Sequence, residues 1–223
     1  MKPLEYWNKI KERCDSLSGF ARDKCIPLVD RDSGDKTYPI WLLINPKYPA
    51  VVNDIWRHVL DEIQDKVYRE IHARIDTTNI YIRSVVSDCG LVPNTLNWWA
   101  NEVATEITFL REILLEHNPK MLISFGAFPF EFVRRVFEIK PEKGPKYWSA
   151  SVLRGEFERS IKNFDINQTN VIPLLRRVIA SDKSLETHNY LSRNDSEQYF
   201  HHVGTKISER IIQNKDSLNI WMN

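Results

Sequence analysis

Apolar positions along this chain switch between two periods, and the switching predicts strands interleaved with helices. Leu4, Trp7, Ile10, Cys14 and Leu17 recur at spacings of three and four, which predicts an amphipathic helix with Pro3 in its first turn and a stop near Gly19. The polar run Asp30 to Lys36, broken by Ser33 and Gly34, reads as an exposed loop. Ile40-Trp41-Leu42-Leu43-Ile44 is a continuous apolar run closed by Asn45-Pro46, the pattern of a buried parallel strand entering a turn. From Val52 through Ile55, Trp56, Val59, Leu60, Ile63 and Val67 to Ile71 the period becomes helical.

A second strand is expected over Ile80 to Val86, then a loop from Asp88 to Asn97 containing Gly90 and Pro93. Val103, Ile107, Leu110 and Leu114 mark one face of a helix from about Asn97 to His117, which Pro119 ends. Met121 to Phe125 is the third strand, and Gly126 turns it into a helix with Pro129 in its first turn. Trp148 to Ile161, centred on Arg154-Gly155, reads as an irregular hairpin. Val171 to Leu175 reads as a fourth strand despite Pro173, which cannot donate to a ladder. A last helix carries Tyr199, Phe200, Val203, Ile207 and Ile211 on one stripe, with Asp195 or Ser196 as its cap. No internal repeat is present.

Strands alternating with helices imply right-handed crossovers. The expected fold is therefore an α/β three-layer αβα sandwich around a central four-stranded parallel sheet. At 223 residues the chain fits one domain, residues 1–223, with 1–36 as an N-terminal helical extension. A hydrophobic content of 42% and a charged content of 27% exclude disordered and fibrous classes. The net charge of +1 leaves no basic footprint over the whole chain, so any nucleic-acid contact has to be local. Glu131 to Lys183 is the local exception, with 11 Lys or Arg against 7 Asp or Glu. Three widely separated cysteines, Cys14, Cys25 and Cys89, fit neither a disulfide framework nor a metal knuckle. With no long apolar run and no apolar N-terminal region, the expectation is a cytoplasmic protein with no membrane partner.

Ligands of parallel sheets bind at the carboxyl ends of the strands, which directs attention to Asn45–Pro49, Ser84–Pro93, Gly126–Pro129 and Arg176–Ser181. In order and spacing these segments resemble the uracil-DNA glycosylase superfamily, with a layout like its iron–sulfur bacterial and archaeal branch. The resemblance spans about Tyr38 to Ile212. It is strongest from Ile80 to Val136, where Tyr81-Ile82-Arg83-Ser84-Val85-Val86, Cys89, Pro93-Asn94, Glu102 to Leu110 and Asn118 to Gly126 follow one another. Leu153-Arg154-Gly155 is similar to that family's hairpin.

The resemblance implies roles. Leu43-Ile44-Asn45-Pro46 is similar to the first motif of the mismatch-specific branch, which makes Asn45 the candidate for positioning a hydrolytic water beside a flipped-out nucleotide, with Pro46 and Tyr48 in the base pocket. The plainer alternatives are a simple Asn-Pro turn and a packing role for Tyr48. Ser84 stands where the family carries an Asn that reads the uracil edge, and one hydroxyl cannot supply the paired hydrogen bonds of an amide. Arg176 stands where the family carries a His that stabilises the departing base, while Arg177 and Arg154 are the candidate DNA contacts. His188 reads as a surface residue of a polar loop. Of the branch's four cluster cysteines only Cys89 is matched, and Thr105 occupies the last position, so neither a metal nor any other cofactor is expected.

Three functions remain open on the sequence. The first is a DNA glycosylase-like protein that recognises a flipped-out uracil or other deaminated base and hydrolyses its N-glycosidic bond. The second is a catalytically degenerate superfamily member that binds nucleic acid or protein. The third is an α/β enzyme acting on a free nucleotide or other small molecule.

Overall fold

In the computed structural model of the chain, residues 32–45, 51–86, 101–176 and 193–222 are described. The elements in order are β1 (Ile40–Ile44), α1 (Val51–Ile71), β2 (Tyr81–Ser84), α2 (Asn101–His117), β3 (Met121–Phe125), α3 (Ala127–Val136), α4 (Ala150–Lys162), β4 (Asn170–Leu174) and α5 (Arg193–Gln213). The strands form one parallel sheet in the order β2-β1-β3-β4. All five residues of β1 and of β3 are buried, as the two central strands of a sheet covered on both sides must be.

The strand alternation sorts the core into two halves. Ile40, Leu42, Ile44, Met121, Ile123, Ile172 and Leu174 face α1, α4 and α5, packing against Val59, Ile63, Phe157, Val203 and Ile207. Trp41, Leu43, Tyr81 and Leu122 face α2 and α3, packing against Val103, Leu110, Phe132 and Val133. Helices thus cover both faces, giving the three-layer αβα sandwich expected from the sequence. No helix among the described residues is long and apolar enough to cross a membrane.

Several expectations need adjustment. Trp148 to Ile161 is not a hairpin: Ala150–Lys162 is the helix α4, entered through a short 3-10 turn at Pro145–Tyr147. Ser149 caps it, its side chain accepting from the Val152 N–H, and Leu153, Phe157 and Ile161 recur every four residues on the buried face. Gly155 suggested a turn, yet it lies on the helix where a Cβ would meet nothing within 4 Å. The last helix begins at Arg193, which puts Asp195 and Ser196 inside its first turn instead of at its cap. The N-terminal helix expected over Leu4 to Leu17 and the Asp88–Asn97 loop lie outside the described residues.

Pro173 sits within β4 without penalty because β4 is an edge strand. Asn170 N–H donates to Lys120 C=O, and Leu174 C=O accepts from Gly126 N–H, so alternate residues of β4 serve the ladder to β3. Pro173 falls on the outward-facing set, where its missing N–H removes no ladder bond.

Candidate functional site at the carboxyl edge of the sheet

The strand order reverses direction between β1 and β3: the chain lays β2 on one side of β1, then crosses over to start β3 on the other. The crevice outside the ends of β1 and β3 is the position where open α/β sheets hold ligands. Asn45 leaves β1 there and is buried. Ile44 pairs with Ser84 at the end of β2, and Val85 N–H donates to Ile44 C=O at 3.1 Å, so the strand end carrying Asn45 is fixed against the one carrying Ser84. Ser84 is buried, and its Oγ has no hydrogen-bond partner among the described residues. By strand alternation Ser84 shares the face of Ile44, whereas Asn45 follows on the other.

On the far side of the crevice, Gly126 ends β3 at φ +89°, a conformation that suits glycine, and its N–H donates to Leu174 C=O at 2.8 Å. A Cβ at Gly126 would lie 2.9 Å from Cβ of Arg176. The absence of a side chain at position 126 is therefore what admits Arg176 against the end of β3. Gly126 is also the N-cap of α3, which receives no side-chain cap bond and has no acidic residue in its first turn. The first-turn N–H groups of such a helix favour an anion or a polar ligand.

The predicted residues thus fall into two neighbouring groups, Asn45 with Ser84 and Arg176 with Gly126. Ser84 ends one outer strand and Arg176 lies two residues beyond the end of the other, and those strands are three inter-strand steps or roughly 14 Å apart at about 4.8 Å each. Pro46, Tyr48, Arg177, His188 and Cys89 lie outside the described residues. Arg154 lies in the second turn of α4, exposed, with its guanidinium carbon 5.8 Å from the ring centre of Tyr199. Thr105 is an exposed residue of α2 with no thiolate to offer, so the residues present do not fit a four-cysteine cluster.

Two contributors escaped the sequence reading. Arg83 is buried, and its Nε donates to the Ser84 carbonyl at 3.2 Å while the guanidinium lies over the Phe109 ring, which fixes the end of β2 from the opposite face. Tyr199 looked like one apolar position among five, yet its OH accepts from the Leu175 N–H at 2.9 Å just before Arg176. Burial pushes the Tyr199 phenol far above its ordinary range, so it stays neutral. The one hydroxyl in an otherwise purely apolar stripe was the available signal, because a buried phenol needs a partner.

The fold is that of an open parallel α/β protein, with Asn45, Ser84, Gly126 and Arg176 at the carboxyl ends of its strands. In comparison with known proteins, the chain matches no family model, and no curated protein matches it.

Proposed function

We propose that this chain binds DNA with one base turned out of the stack into the crevice between Asn45 and Gly126, and that it hydrolyses the N-glycosidic bond of that base. The observation that carries the reading is the placement of two polar side chains at the ends of neighbouring strands: Asn45 follows β1, and the stem of Arg176 lies against Gly126 at the end of β3. The ordered motifs of the sequence supply the substrate class. In this reading the Asn45 side-chain carbonyl accepts a hydrogen bond from a water and aims its oxygen at C1′. The C1′–N bond breaks as the C1′–O bond forms, the base leaves with the bonding pair, and the water's proton ends on the departing base. Arg176 and the uncapped first turn of α3 neutralise the negative charge that grows on the base. Ser84 offers a single hydroxyl to the base edge, which suits a broader range of deaminated bases than an amide would.

The test is incubation of the full chain with oligonucleotides bearing uracil, hypoxanthine or xanthine, followed by alkaline cleavage of abasic sites. Strand scission with at least one of these bases supports the reading, and intact strands with all three refute hydrolysis. A second reading, binding without hydrolysis, is favoured by one observation. Among the described strand ends, Ile44-Asn45, Ser84-Val85-Val86, Gly126 and Leu175-Arg176, there is neither a carboxylate nor an imidazole to move a proton. Retained affinity for DNA without scission would select it.

A further inference from the structure

A cavity of about 270 Å3 lies between β4, the first half of α4 and the start of α5, open to solvent on one side. Leu153, Phe157, Pro173, Leu175 and Val203 give it an apolar floor. The edge strand presents almost no donor to this floor. Val171, Pro173 and Leu175 are the outward-facing residues of β4 and its extension; Pro173 has no N–H, and that of Leu175 is taken by the Tyr199 hydroxyl. What remains for a ligand is apolar surface with carbonyl acceptors beside it.

The rim supplies a cation. Arg154 is held over the Tyr199 ring, and no carboxylate among the described residues pairs with it. Glu158, one helical turn along on the same rim, is engaged instead by His202, with Nε2 and Oε1 2.5 Å apart. Gln198 adds a neutral amide. A guanidinium near an aromatic ring and next to a small apolar floor is suited to a phosphate ester with a heterocycle behind it. The volume, just below the roughly 300 Å3 at which ligand cavities begin, limits the occupant to one such unit.

We infer that this cavity is a nucleotide subsite that takes one nucleoside monophosphate unit, with the phosphate on Arg154 and the base against Phe157, Pro173 and Leu175. The unit is either a free nucleotide or one residue of a single strand; the second source rests on the DNA-binding reading, since Leu175 of the cavity immediately precedes Arg176.

Calorimetric titration of the full chain with thymidine monophosphate, inorganic phosphate, thymidine and a short single-stranded oligothymidylate tests the inference. The monophosphate is expected to bind more tightly than phosphate or thymidine. Arg154→Met, which keeps the stem on Tyr199 and removes the charge, and Gln198→Glu, which adds a repelling one, should each weaken it about tenfold without moving the unfolding midpoint. No heat with the monophosphate at millimolar concentration, phosphate alone binding as tightly, or affinity unchanged in both variants overturns the subsite. The two readings fail separately. Oligothymidylate binding that is indifferent to Arg154 removes the subsite and leaves DNA binding intact. Arg154-dependent binding of the monophosphate without any oligonucleotide binding keeps the subsite and removes the DNA reading.

Discussion

Glu131 Oε2 accepts a hydrogen bond from Trp148 Nε1 at 2.9 Å, joining α3 to the segment that leads into α4. The other oxygen, Oε1, accepts from Arg135 Nε at 3.1 Å and from the Lys143 N–H at 2.8 Å. Glu131 is fully buried, and a buried carboxylate is tolerated only when its lone pairs are this completely used. Glu131→Gln puts an amide N–H₂ opposite one of these donors and leaves Arg135, inside the fold, with Glu142 as a remaining charge partner. The expected loss is about 3 kcal/mol of unfolding free energy, read as a lower urea midpoint. Trp148 emission should shift to the red in the folded variant.

Gly204 allows α5 to approach α1 closely. A Cβ there would come within 2.5 Å of Cβ of Glu62 and 3.3 Å of the Val59 carbonyl oxygen. Alanine raises helix propensity by about 1 kcal/mol at an unobstructed helix position, and Gly155, with nothing near it, is such a position. Gly204→Ala should therefore destabilise by about 1–3 kcal/mol while Gly155→Ala stabilises, and thermal melts of the two variants should move in opposite directions.

Asp76 organises the turn into β2: Oδ1 accepts from Thr78 Oγ1 at 2.6 Å and from its N–H at 2.9 Å, and Oδ2 accepts from Asn79 Nδ2 at 2.8 Å. These bonds, that from the Thr78 hydroxyl first, hold the Asp76 carboxyl below the usual carboxylate range. A carboxylate depressed in the folded state contributes its stability in full above its unfolded value, about 3.9, and loses it as pH falls through the lower folded value. Thr78→Val should raise the Asp76 titration midpoint toward the ordinary value in a carbon-detected NMR titration. It should also flatten the acid limb of the stability profile.

Asn45→Ala is expected to lower base release by at least about a hundredfold while leaving DNA affinity nearly unchanged, because water placement matters in the transition state. Arg176→Ala should lower both, and should reduce the salt dependence of binding by about one counterion. Single-turnover excision and fluorescence anisotropy across a salt series separate the two effects. Full activity in the Asn45 variant would sink the assigned role.

The strands were legible because a parallel sheet covered on both faces forces continuous apolar runs, and Ile40 to Ile44 and Met121 to Phe125 are such runs. The helix at Ala150–Lys162 was obscured by Arg154-Gly155, a pair that suggests a turn; what decides the local structure is the burial of Leu153, Phe157 and Ile161. Asn45 and Ser84 could be assigned to the carboxyl edge of the sheet, since one follows and the other ends a strand, while their falling on opposite faces depends on the register of β1 with β2. The contact of Gly126 with Arg176 could not be read there, because it depends on β3 and β4 being neighbours, a relation set by tertiary packing. The bond from Leu175 to Tyr199 was hidden for the same reason.

The margins of the sheet carry a further consequence. On the β2 side, Ser33 exchanges both backbone hydrogen bonds with Ile82, at 2.9 and 2.8 Å, which uses up that position's outward groups. On the β4 side, Pro173 offers no donor and the Leu175 N–H is already spent on Tyr199. A strand from a second molecule arriving at either side meets a hydrogen-bonding row that is broken where it would have to zip. Among the described residues, the strongly apolar four-stranded sheet therefore has interrupted margins for edge-to-edge growth into fibres.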